Sequence, residues 1–280
     1  ALGSAQELGD ESILVRCLTN VSIFYSEYGD LGRAAQLLEQ QVAINHRLAN
    51  HEGEAVGLSN LGYNYARLGM YARAIDALKR AVELALGIGH RLQTAYGRLN
   101  LALAYLRNGE LDRAVDALES SIPALKALHD RFGQAAGQCY TALVKEASGE
   151  HARAAECFAT AHATLVEIGV QGCANDAAAG LVRCLLALGR TREASQEAEA
   201  LWAHLSDNGP GGMEFPVLAF QTCADLFDSV GDLDRARTAV EMGYRELLDR
   251  AEKIGDPAWR YSFLENVPEH RTITARWRGE

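Results

Sequence analysis

The fold of this chain is decided by the stretch Gly69-Met70-Tyr71-Ala72-Arg73-Ala74-Ile75-Asp76-Ala77-Leu78. Its pattern recurs along the sequence: a glycine is followed four residues later by a charged residue and five residues later by an alanine. The glycines that start this pattern are Gly29, Gly69, Gly109, Gly149, Gly189 and Gly231. They are 40 residues apart, except that the last interval is 42 residues. A fixed period of this length is typical of proteins built from stacked structural repeats.

Each repeat contains two helical stretches that meet at the recurring glycine. In the second repeat, Leu58, Leu61, Tyr65 and Leu68 recur at the spacing of one helix face. The glycine then ends this helix, because it adopts a positive φ at little cost. The following stretch carries a second apolar stripe that includes the recurring alanine. A small residue at this fixed position indicates that the paired helices approach closely.

The period predicts about six helix pairs between residues 11 and 254. The predicted pairs are 11–50, 51–90, 91–130, 131–170, 171–212 and 213–254. Residues 1–10 have the pattern of the end of a repeat's second helix, so we expect the tail of a preceding pair in a longer array. A natural N-terminal cap is the alternative. The glycine-rich segment 207–212 accounts for the longer last interval, and we expect it to be a flexible point.

The segment 255–280 is expected to form one further helix that caps the last repeat. Asp256 is a suitable N-cap and Pro257 suits the first helical position. Trp259, Phe263 and other apolar residues follow on one face. An open stack needs such a helix to shield its last repeat from water.

Composition narrows the class of protein. Of the 280 residues, 48% are hydrophobic and 23% are charged, which is typical of a globular protein. The net charge of −10 and the absence of a basic cluster argue against direct nucleic-acid binding. No apolar run is long enough for a membrane helix, and no secretion signal opens the sequence. We therefore expect a cytoplasmic protein that does not interact with membranes.

Chemistry-bearing motifs are missing. The 6 cysteines form no C-x-x-C pair, and we expect them to be small buried hydrophobic residues rather than metal ligands or disulfides. No phosphate-binding glycine loop and no H-E-x-x-H pattern occurs. The sequence therefore predicts neither an enzyme nor a cofactor or metal site.

The recurring positions also carry a family resemblance. Leu61-Gly62, Tyr65, Ala74, Leu78 and Ala81 have the spacing of the tetratricopeptide signature, and Leu101-Ala102, Tyr105, Ala114, Leu118 and Ser121 repeat it. The chain therefore resembles the tetratricopeptide repeat (TPR) family over nearly its whole length, although the common repeat has only about 34 residues. The resemblance implies an all-α fold, a right-handed α-solenoid of about six helix pairs, with the predicted capping helix at its end.

Residues 260–271 resemble the tail of large bacterial regulators. In those proteins a signal-transduction ATPase precedes a tetratricopeptide array, sometimes with a cyclase or a DNA-binding domain. The resemblance implies that this chain is the sensor or partner-binding arm of such a protein.

A ladder of asparagines marks the expected binding face. Asn20, Asn60 and Asn100 occupy one equivalent position in the first three repeats. In the tetratricopeptide family the first helices line a concave groove that receives extended peptides. An amide side chain offers both a donor and an acceptor to a peptide backbone. Alternatively, these asparagines cap or bridge neighbouring helices.

Five further residues are expected beside this ladder. They are Arg16, Tyr63, Arg67, Tyr96 and Arg107. Tyrosine and arginine are enriched at interaction hot spots, and the arginines suit acidic groups of a partner. The alternative for each arginine is a solvated helix end paired with a local acid. We expect a protein or peptide ligand in the groove.

Two other functions remain open. The array could self-associate or dock on a neighbouring ATPase domain of the same protein, which the pattern of residues 1–10 and the resembling tail favour. It could also sense a small molecule near Tyr63, Tyr96 and Arg107.

Overall fold

The computed structural model describes residues 11–279, and these residues form fourteen helices with no strand. The first seven helices are α1 Glu11–Glu27, α2 Leu31–Arg47, α3 His51–Arg67, α4 Tyr71–Gly87, α5 Arg91–Arg107, α6 Leu111–Ala127 and α7 Arg131–Ala147. The other seven are α8 His151–Glu167, α9 Gln171–Ala187, α10 Thr191–Asn208, α11 Pro216–Ser229, α12 Leu233–Lys253, α13 Pro257–Glu265 and α14 Pro268–Arg278. The all-α prediction is confirmed. The expected helix tail in residues 1–10 lies outside the described residues.

The chain divides into two compact units. The first contains the described residues up to Leu128 together with Arg250–Phe263, and the second contains His129–Asp249 and residues 264–279. Segments from distant parts of the sequence therefore share a unit. None of the described helices combines the length and apolar character that crossing a bilayer requires.

The recurring glycine and alanine have the roles that the sequence predicts. All six glycines that start the pattern adopt φ between 72° and 80°, which ends each first helix in a left-handed turn. The alanines five residues later are at most 3% exposed. At Gly62 an added Cβ would lie 2.5 Å from Cγ of Leu78, which shows how closely α3 and α4 approach.

Each unit is a stack of helix pairs with its first helices in direct contact. In the first unit α3 packs against α5, and in the second α7 packs against α9 and α9 against α11. We call the first helices of the first unit, α1, α3 and α5, the first-helix layer. Between the two layers of this unit, Leu58 packs with Ala77 and Ala81. The pairing thus places one side chain position of every repeat in a row along the first-helix layer.

The glycine-rich insertion packs on the start of α9, and the expectation of a flexible point stays a prediction. The Asp176 carboxylate accepts hydrogen bonds from the backbone N–H groups of Glu214 at 2.7 Å and Phe215 at 3.0 Å. A Cβ added to Gly172 would lie 2.1 Å from the carbonyl oxygen of Gly212. The insertion therefore packs backbone to backbone on the start of α9, and one carboxylate satisfies the free N–H groups before α11.

The C-terminal segment forms two helices where the sequence predicts one. Asp256 accepts hydrogen bonds from the backbone N–H groups of Ala258 and Trp259, as expected of an N-cap. Proline has no N–H to continue a helix, and at Pro268 it begins the second helix instead.

In the second unit α14 packs on α11 and α12. Its Ile273 is fully buried beside Gly243, and its Trp277 stacks on Tyr244 with ring centroids 5.3 Å apart. Its Arg276 pairs with Asp225 and Asp228 of α11. These contacts are of the kind that a capping helix makes, and the capping role itself remains a prediction.

Candidate binding face of the first three helix pairs

The asparagine ladder lies along the first-helix layer of the first unit. Asn20 on α1 is exposed, and Asn60 on α3 and Asn100 on α5 are half-buried. Each asparagine is the tenth residue of its helix, and their alignment into one row stays a prediction. Arg16 on α1 is exposed as well, and Tyr63, Tyr96, Arg67 and Arg107 are half-buried on α3 and α5.

Asn100 connects two helices of the layer. Its Nδ2 donates a hydrogen bond to the Ser59 hydroxyl at 3.2 Å, which ties α5 to α3. The bridging alternative therefore describes part of what Asn100 does. An amide has two N–H groups and a carbonyl oxygen, so this bond uses only one of its donors.

Arg67 also bridges helices, but not through an acid. Its Nη1 donates to the Ser26 hydroxyl at 2.9 Å and to the Ser26 carbonyl at 3.2 Å, which ties α3 to α1. Its guanidinium lies 5.5 Å from the Tyr63 ring centroid. The contacts of Asn100 and Arg67 thus hold α1, α3 and α5 together at the level of the predicted site.

Sequence reasoning missed Asn64, one turn beyond Asn60. Its Nδ2 donates to the Asn60 carbonyl at 2.9 Å, and the side chain is only 2% exposed. Within the described part of the chain, its Oδ1 has no hydrogen-bond partner. A buried amide oxygen without a partner is unusual, so Asn64 is a further candidate of this face. The sequence could have indicated this residue, because position 64 holds a polar asparagine where the equivalent positions of the next two repeats hold the apolar Ala104 and Val144.

The recurring arginine has a structural role that the sequence did not reveal. Four of its five occurrences stack on an aromatic ring eight residues before the arginine, across the turn, whereas Arg153 has Lys145 at that position and pairs with Glu150 instead. The distances from Cζ to the ring centroid are 4.9 Å for Arg33 on Tyr25, 4.3 Å for Arg73 on Tyr65, 4.2 Å for Arg113 on Tyr105 and 4.2 Å for Arg235 on Phe227. Burial raises the pKa of Tyr65, and the neighbouring Glu39 carboxylate raises it further. The tyrosine therefore stays a neutral hydroxyl that accepts from Arg73 and donates to Glu39.

A separate cleft of about 460 Å³ lies over α3 between α2 and α4. Its floor is apolar and includes Val42, Leu58 and Leu61. At its rim the Glu54 carboxylate, 3% exposed, lies 3.1 Å from both Arg80 and His46. These pairs connect α2, α3 and α4, and the sequence did not predict the cleft.

The ladder position changes character in the second unit, as the sequence indicates. Tyr140 takes the place of asparagine, and its hydroxyl donates to Glu214 at 3.0 Å. Gly180 occupies the equivalent position in α9, and a Cβ added there would lie 2.4 Å from the Phe158 ring. Neither position offers an amide, so the ladder is confined to the first unit.

The cysteines are free thiols in the structure. Burial raises the pKa of Cys184 and of Cys223 to about 12 and holds that of Cys139 well above its usual value. At neutral pH these three thiols are protonated and therefore poor nucleophiles.

Comparison with known proteins identifies the repeats. The family model described as Tetratricopeptide repeat matches residues 53–127, which hold Asn60 and Asn100. Residues 53–127 therefore carry the tetratricopeptide repeat pattern. No curated protein sequence matches it.

Solved structures share the fold at low sequence identity. The Rap conjugation gene regulator of plasmid pLS20, in complex with the Phr peptide, is 13% identical with a TM-score of 0.71, covering 97% of this chain and 78% of that one. Aspartyl phosphate phosphatase F from Bacillus subtilis is 12% identical with a TM-score of 0.67, covering 95% and 70%. A signal transduction ATPase with numerous domains and a tetratricopeptide repeat sensor, from Pyrococcus horikoshii, is 16% identical with a TM-score of 0.60. That match covers 92% of this chain and 40% of the ATPase. These similarities show an α-solenoid of helix pairs.

Proposed function

We propose that this chain is a non-catalytic interaction module that binds an extended peptide, or an extended segment of a protein, along its first-helix layer. The observation that carries the proposal is an asparagine at the tenth residue of each of three first helices, Asn20, Asn60 and Asn100 on α1, α3 and α5. Packed helices lie about 8–10 Å apart, which is about three residues of an extended chain, so these amides can pair with N–H or C=O groups of about every third residue, whatever the side chains are. The peptide complex of the Rap conjugation regulator supports this choice of ligand, since that protein shares the fold.

The side chains beside the ladder favour a ligand that also carries acidic groups. Arg16 is exposed on α1, and the stacked pair Tyr63 and Arg67 lies on α3. A guanidinium already positioned by Ser26 loses little side-chain freedom when it binds a carboxylate. We therefore expect acidic side chains or a C-terminal carboxylate in the bound segment.

We also propose that the module is the sensor arm of a larger regulator. The resemblance of residues 260–271 motivates this role, and the shared fold of the tetratricopeptide repeat sensor in the Pyrococcus horikoshii ATPase supports it.

A random peptide display library panned against the immobilised full chain tests the binding proposal. Recovered peptides are then titrated against wild type and the Asn60→Ala, Asn100→Ala double variant. Each lost hydrogen bond to the ligand costs about 1 kcal/mol, so the double variant should bind about 30-fold more weakly. Recovery of no peptide, or full affinity in a folded double variant, would refute the proposal.

Two control variants separate binding from structure. Ser59→Ala removes the internal partner of Asn100 but keeps both ladder amides, so it should bind at least as well as wild type. Asn108→Ala removes an amide outside the ladder, which contacts Glu110 in the turn, and should leave the affinity unchanged.

A further inference from the structure

The first unit contains a segment from the far end of the chain. Residues 250–263, which we call the clasp, pack on the turns of the first two helix pairs, residues 28–33 and 65–73. Trp259 is 9% exposed, and its ring meets that of Tyr65 edge to face at a centroid distance of 6.0 Å. Arg73 lies 5.7 Å from the Trp259 ring centroid. The clasp thus covers the Tyr65–Arg73 pair.

The first turn receives the other end of the clasp. The side chain of Arg250, 6% exposed, lies 3.1 Å from where a Cβ on Gly29 would be. Ile254 is fully buried, and its Cα lies 3.2 Å from the Cβ position of Gly32. Because Gly29 and Gly32 have no side chain, the clasp can pack directly against their backbone. The Arg260 guanidinium donates to the Ile254 carbonyl at 2.7 Å and fixes the bend after α12.

Burial distinguishes these two turns from the others. Gly29 and Gly69 are buried, whereas the glycines at the equivalent turns are exposed. The exposed ones are Gly109, Gly149, Gly189 and Gly231. The glycines of the first two turns are therefore covered, although Tyr28 beside Gly29 is exposed and the turns are built on the same pattern.

The sequences of the second and third turns agree with this difference, since Leu68 and Met70 flank Gly69 whereas Asn108 and Glu110 flank Gly109. An apolar neighbour does not by itself mark a covered turn, because Leu188 and Val230 precede the exposed Gly189 and Gly231. The positions equivalent to Gly32 hold larger residues in every later repeat. Glycine therefore occurs at this position only in the repeat that the backbone of Ile254 approaches.

The clasp contacts the ends of the elements that carry the candidate binding face. Lys253 donates to the carbonyl of Tyr28 in the turn that follows α1, the helix of Arg16 and Asn20. Trp259 packs on Tyr65 of α3, the helix of Asn60.

We propose that the clasp is an internal ligand of the first two turns, which sets the separation of α1 and α3 and thereby regulates the candidate binding face. Release of the clasp uncovers the turns at Gly29 and Gly69 and loosens α1–α4. α5 and α6, whose turn is exposed already, do not depend on it. The regulatory part rests on the proposed function, whereas the docking and its release do not.

Hydrogen exchange of the full chain tests the docking. Trp259→Ala should speed amide exchange in α1–α4 by about tenfold or more, because it removes the ring that packs on Tyr65 and Arg73. Trp277→Ala is the matched control, since that ring stacks on Tyr244 in the second unit. Faster exchange spread evenly over all helices, or none in α1–α4, would overturn the proposal.

A reversible lock tests the release within one variant, so that any loss of stability from the two substitutions is common to its oxidised and reduced forms. The Cβ position of residue 32 lies 3.6 Å from Cβ of Ile254, within the range of about 3.5–4.5 Å that a disulfide needs. The Gly32→Cys, Ile254→Cys variant, oxidised with diamide, should exchange more slowly in α1–α4 than its reduced form, by about threefold or more. Wild type treated in the same way controls for the native cysteines. Equal exchange of the two forms would show that the clasp does not open, which overturns the proposal.

Peptides recovered from the display library then test the regulation. The locked and reduced forms should differ at least about threefold in affinity for them. Equal affinity would overturn regulation of this face. Recovery of no peptide would instead refute the proposed function, while the exchange experiments still decide whether the clasp docks and opens.

Discussion

Replacing Gly180 with alanine should destabilise the second unit, although alanine is the better helix former. A Cβ at this position would lie 2.4 Å from Cε1 and Cζ of Phe158 and 2.6 Å from Cε2. Carbon atoms in contact prefer about 3.5–4.0 Å, so three ring atoms would overlap by about 1 Å. Phe158 is 2% exposed and fills its site, which leaves the ring little space to move.

The expected magnitude follows from two opposing effects. Alanine in a helix interior gains about 1 kcal/mol over glycine, and overpacking a filled core costs about 3 kcal/mol at the upper end. The Gly180→Ala variant should therefore lose about 2 kcal/mol in the free energy of unfolding, measured by urea denaturation followed by circular dichroism. Gly87→Ala is the matched control. Gly87 ends α4 with no heavy atom within 4 Å of its Cβ position, so this variant should be neutral or more stable.

A double-mutant cycle identifies the ring as the cause. In a Phe158→Leu background the added methyl group meets a smaller side chain, so Gly180→Ala should there be neutral or stabilising. If Gly180→Ala stabilises the wild-type chain as Gly87→Ala does, the packing argument is wrong. An equal loss in both backgrounds would place the cause in the backbone instead of the ring.

Two further measurements check other parts of the structure. Asp176→Asn should lower the free energy of unfolding by about 1–2 kcal/mol, because an amide offers only one acceptor oxygen to the two N–H groups of Glu214 and Phe215. The variant should then be cleaved faster by proteases within residues 207–215, and unchanged proteolysis would contradict the anchoring. The raised thiol pKa values predict lower stability in alkali: unfolded cysteine ionises near its usual pKa of 9.0, whereas Cys223 stays protonated up to about 12. The contribution of this thiol to stability is thus complete below about pH 9 and is lost progressively as the pH rises toward 12. The midpoint of urea denaturation should therefore fall over this pH range, and it should fall less in the Cys223→Ala variant.

Local structure could be predicted from the sequence because its causes are local. The glycine that ends each first helix requires a positive φ, and the alanine after it lies where two helices approach most closely. Both requirements act within about ten residues and recur in every repeat. The helix boundaries follow from that recurrence, as does the equivalent helical position of Asn20, Asn60 and Asn100.

Side-chain partners between repeats could not be read in the same way. Arg67 was a candidate for an acidic ligand or a local acid, and its partner is the hydroxyl of Ser26, a full repeat earlier. Asn100 likewise reaches Ser59 on the preceding first helix. A short polar residue suits many environments, so its type in the sequence does not identify the group that it contacts.

The insertion at 207–212 shows that a glycine-rich composition does not reveal what a loop packs against. Glycine gives the free chain more conformations, and on that ground the segment was expected to be flexible. The same lack of a side chain lets Gly172 and Gly212 meet backbone to backbone. Whether glycine loosens a loop or allows it to pack depends on a partner, here α9, that the local sequence does not specify.

The covered turns carry this reasoning one step further. Apolar residues beside a turn glycine do not by themselves mark a covered turn. Leu68 before Gly69 is fully buried, whereas Leu188 and Val230, before Gly189 and Gly231, are 38% and 46% exposed. The sequence therefore indicates neither which turns are covered nor what covers them. Trp259 lies almost 200 residues beyond Tyr65, and nothing local connects the two. Because Trp259 and Ile254 bury apolar surface against the first two turns, the stacking of the first two pairs depends on the far end of the chain, and repeats with identical patterns need not be equally stable.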